Sequence, residues 1–367
     1  MKKTSLIISC VLLLFTSCRD ALVDQINDTE ADLQLAGAGV TVKPANKFTN
    51  LFNRYGNGWT GGDASYSVAL PDGRSVWMFG DSFLDTVYAD YTRPFAELVR
   101  NSFVVQQGNN LTTIVGGTID DPSALVDTDD PTLRWYWPGD GTVIGDTLYV
   151  YMMYFQKTGP GGWDYAYQRT DLVAYSLPAI TEISRTTVFT EPHITWGTTI
   201  MEDGGFNYVY GTEGATLTKY MHVLRYPAGN IHATPEYWNG SGWTTTIPAY
   251  NVGRLEKQSG FAVDVSAQFA VFYAAGKYRL VTQHNLFGPD IYSWESINPT
   301  GPWKQRQTIY VTPETGDEHF TYNAWVHPEF GTSGYMLLTY NENSNNFLDL
   351  FNDARIYRPK FIFFKYN

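Results

Sequence analysis

Apolar and polar positions along the chain alternate in short runs, and few stretches repeat at the spacing of an amphipathic helix. Runs rich in Tyr, Val, Phe and Thr are broken by Gly and Asp, the pattern of half-buried strands joined by tight turns. Five segments share one plan: a polar or Gly-rich start, a strand, a tight glycine turn, an aromatic strand and a polar end. They run from Trp59 to Phe83, Trp135 to Phe155, Ile194 to Glu213, Gly260 to Asn285 and Tyr322 to Asn343. Their turn glycines, Gly73, Gly145, Gly204, Gly276 and Gly334, lie 72, 59, 72 and 58 residues apart. Self-similarity at this spacing predicts an all-β, five-bladed β-propeller with the five turns on one face. A β-sandwich with accidental spacing is the alternative. The apolar run Lys360–Tyr366 is expected to close the ring against the first blade.

The first residues read differently. Met1-Lys2-Lys3 precedes an apolar run from Leu6 to Phe15 and then Thr16-Ser17-Cys18, the layout of a secretory signal over residues 1–17. The run is too short to span a bilayer, which takes about 20 apolar residues. Small residues directly before a cysteine resemble a lipobox, so Cys18 is expected to carry the lipid. Both cysteines, Cys10 and Cys18, lie in this region, which leaves the mature domain without a disulfide or thiol chemistry. Residues 18–46 are polar and contain Gly37 and Gly39, and are expected to form a flexible tether to a domain spanning 47–367.

Charge narrows the partners. Loss of Lys2 and Lys3 with the signal takes the net charge from −12 to −14. Such an acidic surface repels phosphate backbones and argues against nucleic acid. A monomer is expected, held at the cell envelope by its lipid as an outer-membrane lipoprotein, periplasmic or surface-exposed.

The first hairpin carries the most chemistry. Leu70-Pro71-Asp72-Gly73-Arg74 fits a three-residue loop with a left-handed glycine, which pairs Leu70 with Arg74. Counting back sets Ala69 opposite Ser75, Ser67 opposite Trp77, Ser65 opposite Phe79 and Asp63 opposite Asp81. A two-residue turn would slip the register by one and point the two aspartates to opposite faces. Like charges directly across a sheet destabilise it. Two neighbouring carboxyls also push their pKa values apart, so one stays protonated while the other ionises, the equipment of glycoside hydrolysis. Asp63 and Asp81 are therefore the candidate catalytic pair. Capping of the Gly61-Gly62 turn by Asp63 and a loop amide held by Asp81 are the structural alternatives.

Asn57-Gly58-Trp59-Thr60-Gly61-Gly62-Asp63, Leu70-Pro71-Asp72-Gly73-Arg74 and Phe79-Gly80-Asp81-Ser82-Phe83 together resemble the opening blade of a bacterial propeller family. That family was long catalogued as domains of unknown function and includes endo-acting D-arabinan hydrolases. The resemblance implies a five-bladed propeller, a catalytic aspartate pair matching Asp63 and Asp81, and an envelope lipoprotein.

Other polar residues fall at the same mouth by their distance from the turn glycines: Glu213, His284 with Asn285, and Asn341. Glu213 is a candidate third carboxylate, and His284 and Asn285 are candidates to bind hydroxyls. Asp140, His193, Asp264, Asn323 and His327 lie near the inner strand starts, and Trp59, Trp196 and Trp325 are candidates to stack on sugar. His193, His284 and His327 lack paired metal-ligand spacing, so neither a metal nor a cofactor is expected. The expected function is a glycoside hydrolase acting on a furanose-containing or related polysaccharide. A non-catalytic glycan-binding lipoprotein is the second reading, with an aromatic mouth but no need of opposed aspartates.

Overall fold

The computed structural model describes residues 36–96, 98–214 and 218–367. The signal, Cys18 and most of the tether lie outside the described residues. The rest is a five-bladed β-propeller built from antiparallel sheets. Blade 1 runs outward from Tyr66–Ala69 through Ser75–Phe79 and Ser102–Gln107 to Asn110–Ile114. Blade 2 takes Arg134–Ile144, Thr147–Lys157, Tyr165–Ser176 and Thr181–Phe189. Blade 3 starts with Ile194–Asp203, Phe206–Glu213 and Lys219–Pro227, and blade 4 has Phe269–Ala274, Lys277–Gln283, Asp290–Ser296 and Lys304–Val311. Blade 5 has His319–Thr332, Tyr335–Ser344 and Pro359–Tyr366, with Val40–Pro44 as its outermost strand. Each inner strand packs on the next, and that of blade 5 packs back on that of blade 1, which closes the ring.

Each of the five predicted glycines turns the inner strand into the second strand of its blade, with φ between 56° and 84°. Only glycine holds that conformation at little cost. Because every blade starts at its inner strand and runs outward, the five turns share one face. The ends of the second strands share the other.

Two sequence expectations are corrected. Lys360–Tyr366 does not close the ring against blade 1; it lies inside blade 5, between Tyr335–Ser344 and Val40–Pro44. Phe361, Ile362, Phe363 and Phe364 are all buried, so both faces and both edges of this strand need cover, which an edge strand does not have. The second correction follows. Residues 40–46 are not tether: Val40 pairs with Tyr366 and Pro44 with Ile362, and the helix Asn46–Phe52 starts directly after. That helix has no side-chain cap and is held by packing. Phe48 and Phe52 press on Trp77, Phe361 and one another's neighbours in an aromatic cluster. Burial of each such ring contributes roughly 1.5–3 kcal/mol, enough to fix a seven-residue helix on the sheet.

The inner strands are interrupted near the axis. Pairing shifts between Pro138 and Gly141, between Trp196 and Thr199, and between Tyr322 and Trp325. In blade 1 the same role falls to Ala64 and Ser65, both at positive φ. Bulges of this kind re-aim side chains. Here they separate the regular hairpins below from the polar mouth above.

Candidate active site

The first hairpin keeps its predicted register. Leu70 N–H donates to the Arg74 carbonyl at 2.8 Å, and Ala69 pairs with Ser75 and Ser67 with Trp77. Beyond the bulge the count resumes, with Gly62 opposite Ser82. Asp63 N–H donates to the Asp81 carbonyl at 3.3 Å, and Gly80 N–H donates to the Asp63 carbonyl at 3.0 Å. Asp63 is thus opposed by Gly80 and Asp81 together, and the two aspartates face each other at the mouth as the turn predicts. Gly80 lies under the Asp63 carboxyl: a Cβ there would come within 2.6 Å of its Oδ1.

The two carboxyls have different surroundings. Asp63 is half-buried and accepts hydrogen bonds from two tyrosine hydroxyls, Tyr322 at 2.9 Å and Tyr357. Burial and the neighbouring Asp81 charge outweigh those bonds and push its pKa up to about 7. Asp81, whose side chain is 15% exposed, accepts from Arg100 at 3.0 Å and from the Trp137 indole N–H at 2.8 Å. Burial raises its pKa too, against the opposing pull of the Arg100 charge. One carboxyl therefore sits among neutral donors and the other against a cation. Two like carboxyls so arranged share their protons unequally.

An aromatic wall surrounds the pair. Trp137 packs on Trp135, Phe155 and Tyr165, and Arg100 lies over the Trp135 ring. Tyr165 is raised to about 12, by burial first and then by the charges of Asp63 and Asp81. Across the mouth, Phe287 stands against Tyr322, Phe320 and the exposed Trp163. Sequence reasoning missed Trp137, Tyr322, Arg100, Tyr165 and Tyr357. Trp137 and Tyr322 stand at the starts of the second and fifth repeats, where Asp63 stands in the first, and that equivalence was the available signal. Arg100 and Tyr357 lie in irregular connections that carry no periodic signal.

The three predicted stacking tryptophans do not line the mouth. Trp59 is wholly buried against Phe52 and Phe79, Trp196 packs between Phe189 and Tyr237, and Trp325 packs on Tyr66. Each sits on a core-facing position of its blade, where a large ring fills the wedge between neighbouring sheets. Glu213 is also buried, and accepts from His222 at 2.8 Å and from Arg254 Nε at 2.7 Å. Burial alone would raise its pKa, but those bonds outweigh it and hold the carboxyl below its ordinary value. Glu213 is thus a permanently ionised strut. Asp140 has a similar tying role: it accepts from the backbone N–H groups of Gly141 at 2.8 Å and of Ile200 at 2.7 Å, joining blade 2 to blade 3.

The remaining candidates are not gathered at the aspartate pair. Asn285 is exposed and Asn323 half-buried, both at positive φ, and His284 is half-buried with an Nδ1 that lacks a partner. Asp264 pairs with Lys257. His193 is exposed beside Tyr250, whereas His327 is buried between Ser67 and Thr339. Among the described residues no three His, Cys, Asp or Glu side chains form a metal-binding group.

Residues 45–366 match the family described as Domain of unknown function (DUF5005). No curated protein matches the chain. A presumed hydrolase from Bacteroides ovatus ATCC 8483 superposes with a TM-score of 0.77 at 22% identity, covering 93% of this chain and 97% of that one. Zg3597, a family 117 glycoside hydrolase of the marine bacterium Zobellia galactanivorans, gives 0.50 at 9% identity and 91% of each chain. A GH43_1 enzyme from Xanthomonas citri, complexed with xylotriose, gives 0.46 at 12% identity, covering 87% and 92%. The first two are likenesses of fold, and they agree with the five-bladed propeller described above.

Proposed function

We propose, from the premise that this chain belongs to the family of unknown function DUF5005, that it is a glycoside hydrolase working through Asp63 and Asp81. The observation that carries the reading is the facing of two carboxyls with unlike partners. Asp63, pushed up to about 7 by burial and the Asp81 charge, keeps a proton up to near-neutral pH and serves as the general acid. Asp81, beside Arg100, is the carboxyl that ionises more readily and serves as the nucleophile. Retaining enzymes hold their carboxyls about 5–5.5 Å apart, whereas inverting ones need roughly 6.5–9.5 Å to admit a water. We infer retention of anomeric configuration, the outcome expected of two carboxyls close enough for the charge of one to raise the pKa of the other.

In the first step the Asp63 carboxyl gives its proton to the leaving glycosidic oxygen while Asp81 attacks the anomeric carbon. In the second, Asp63 takes a proton from water as that water displaces Asp81. Trp137, Tyr165 and Phe287 supply ring faces for the sugar, and Arg100 balances the charge that Asp81 regains. The proposed substrate is a furanose-containing or related polysaccharide, as the likeness of residues 57–83 to the arabinanase-containing family implies. The protein works at the cell envelope, held by lipid on Cys18. The test is to incubate the purified domain with arabinan, arabinoxylan and arabinogalactan and to read products by chromatography. Released oligosaccharides that disappear in Asp81→Asn support the reading. No product from any polysaccharide counts against it.

A further inference from the structure

A second concavity opens on the aspartate face, between blades 3 and 4. Its volume is about 540 Å³, within the roughly 300–1,000 Å³ range of small-molecule sites. It lies where the second strands of the two blades end, Glu213 and Gln283, away from the turns at Gly204 and Gly276. Its walls include Tyr220, Arg254, Lys257, Phe261, Asp264 and Tyr292.

The chemistry of this lining is balanced. Arg254 is matched by Glu213, and Lys257 by Asp264, so the two cations are already neutralised. An anionic ligand would have to break those pairs. A neutral polyol would not: fixed ammonium, guanidinium and carboxylate groups offer it donors and acceptors at once. Arg254 lies over the Tyr220 ring at 4.2 Å and braces it, and Tyr292 donates to Asp264 at 3.2 Å. Phe261, 73% exposed, presents a bare ring at the rim.

The cavity is joined to the catalytic pair by one short loop. Asn285 lines it, and two residues on, the Phe287 ring stands 6.0 Å from that of Tyr322, whose hydroxyl bonds Asp63. We infer that the cavity between blades 3 and 4 is a distal subsite for a neutral glycan chain, whose other part crosses Phe287 to reach Asp63 and Asp81. This rests on the hydrolase reading and adds to it: the substrate is a polymer gripped at two places, and the cut falls inside the chain.

Binding and turnover separate the two ideas. Asp81→Asn protein is run in native gels containing arabinan, arabinoxylan or arabinogalactan, alone and with Lys257→Met and Phe261→Ala added. Phe261 is exposed, whereas Lys257 is half-buried against Asp264, so thermal melts check that the fold is kept; Phe261→Ala alone is the second variant. The expected result is retardation by at least one polysaccharide, with affinity lowered about tenfold in the added variants. Ile183→Ala, on the exposed outer strand of blade 2, leaves retardation unchanged. Retardation that the cavity variants do not weaken, or no retardation in any gel, overturns the subsite. Retardation lost in the cavity variants, with no product from the wild type, keeps the subsite and removes the hydrolase reading.

Discussion

Asp63 N–H donates to the Asp81 carbonyl at 3.3 Å, so the backbone itself holds two carboxyls against each other across one hairpin. Facing like charges lower the stability of a sheet. The arrangement is therefore expected to persist for function. Asp63→Asn and Asp81→Asn each lower kcat by about 10³-fold or more, while the melting temperature stays level or rises, with the rise greatest above pH 7, where both carboxyls are ionised. NMR of the first product formed shows the retained anomer. An inverted product, or full activity in either variant, ends the assignment.

Gly80 tests the geometry without touching a charge. A methyl at this position would sit 2.6 Å from Asp63 Oδ1 and force the carboxyl aside. A shift of about 1 Å at a reacting group costs on the order of 10²-fold in rate. Gly80→Ala is expected to lower kcat by that order with KM little changed. Turnover equal to wild type would mean that the Asp63 carboxyl has no fixed position to lose.

The pH profile follows from the two surroundings. Activity needs Asp63 protonated, so it falls as pH rises through about 7. It also needs Asp81 ionised, and Asp81 is raised by burial against the pull of Arg100. Arg100→Met removes that pull, so the acid limb of kcat/KM moves to higher pH and the optimum narrows. If the alkaline limb moves instead, the roles of the two aspartates are reversed.

What the sequence made legible was local. The turn Leu70–Arg74 sets a register that carries from Ala69 opposite Ser75 back to Asp63 and Asp81, so the Asp63–Asp81 pairing could be counted from a glycine. The repeat of five such turns made the ring legible, because a period is visible without knowing any contact. What escaped were groups brought in by other blades. Trp137 comes from blade 2 and Tyr322 from blade 5, and Tyr357 from the connection before the last strand. Trp59, Trp196 and Trp325 were misread because nothing in a sequence tells which side of a strand faces the wedge between blades. The tether was drawn too long for a related reason. Val40–Pro44 is a strand only because Pro359–Tyr366, over 300 residues later, offers it an edge.

The anchor is a separate expectation. Thr16-Ser17-Cys18 after an apolar run predicts lipidation of Cys18, and no other thiol follows it. Cys18→Ala, expressed in a bacterial host with its signal intact, is expected to leave the membrane fraction and appear in the soluble one. Equal membrane association in fractionation blots would refute the anchor.

Stability should depend on pH through Asp140. Its carboxyl is 6% exposed, and burial first, with the Glu329 charge as a smaller contribution, pushes its pKa up to about 8. Glu329 is raised as well, to about 7, but it titrates in wild type and in Asp140→Asn alike, so the difference between the two proteins reports Asp140. A folded-state pKa above the unfolded value means that the native state keeps a proton the unfolded chain gives up. The stabilisation is complete below about pH 4, the ordinary aspartate range, and is lost as pH rises through about 8. Asp140→Asn removes the titration. It also puts an amide NH₂ where one of two backbone N–H groups had an acceptor, at a cost of about 1–3 kcal/mol. The variant should therefore melt below wild type at pH 5, with the gap narrowing or reversing by pH 9. Parallel melting curves for the two proteins across that range would show that Asp140 is ionised in the folded state throughout.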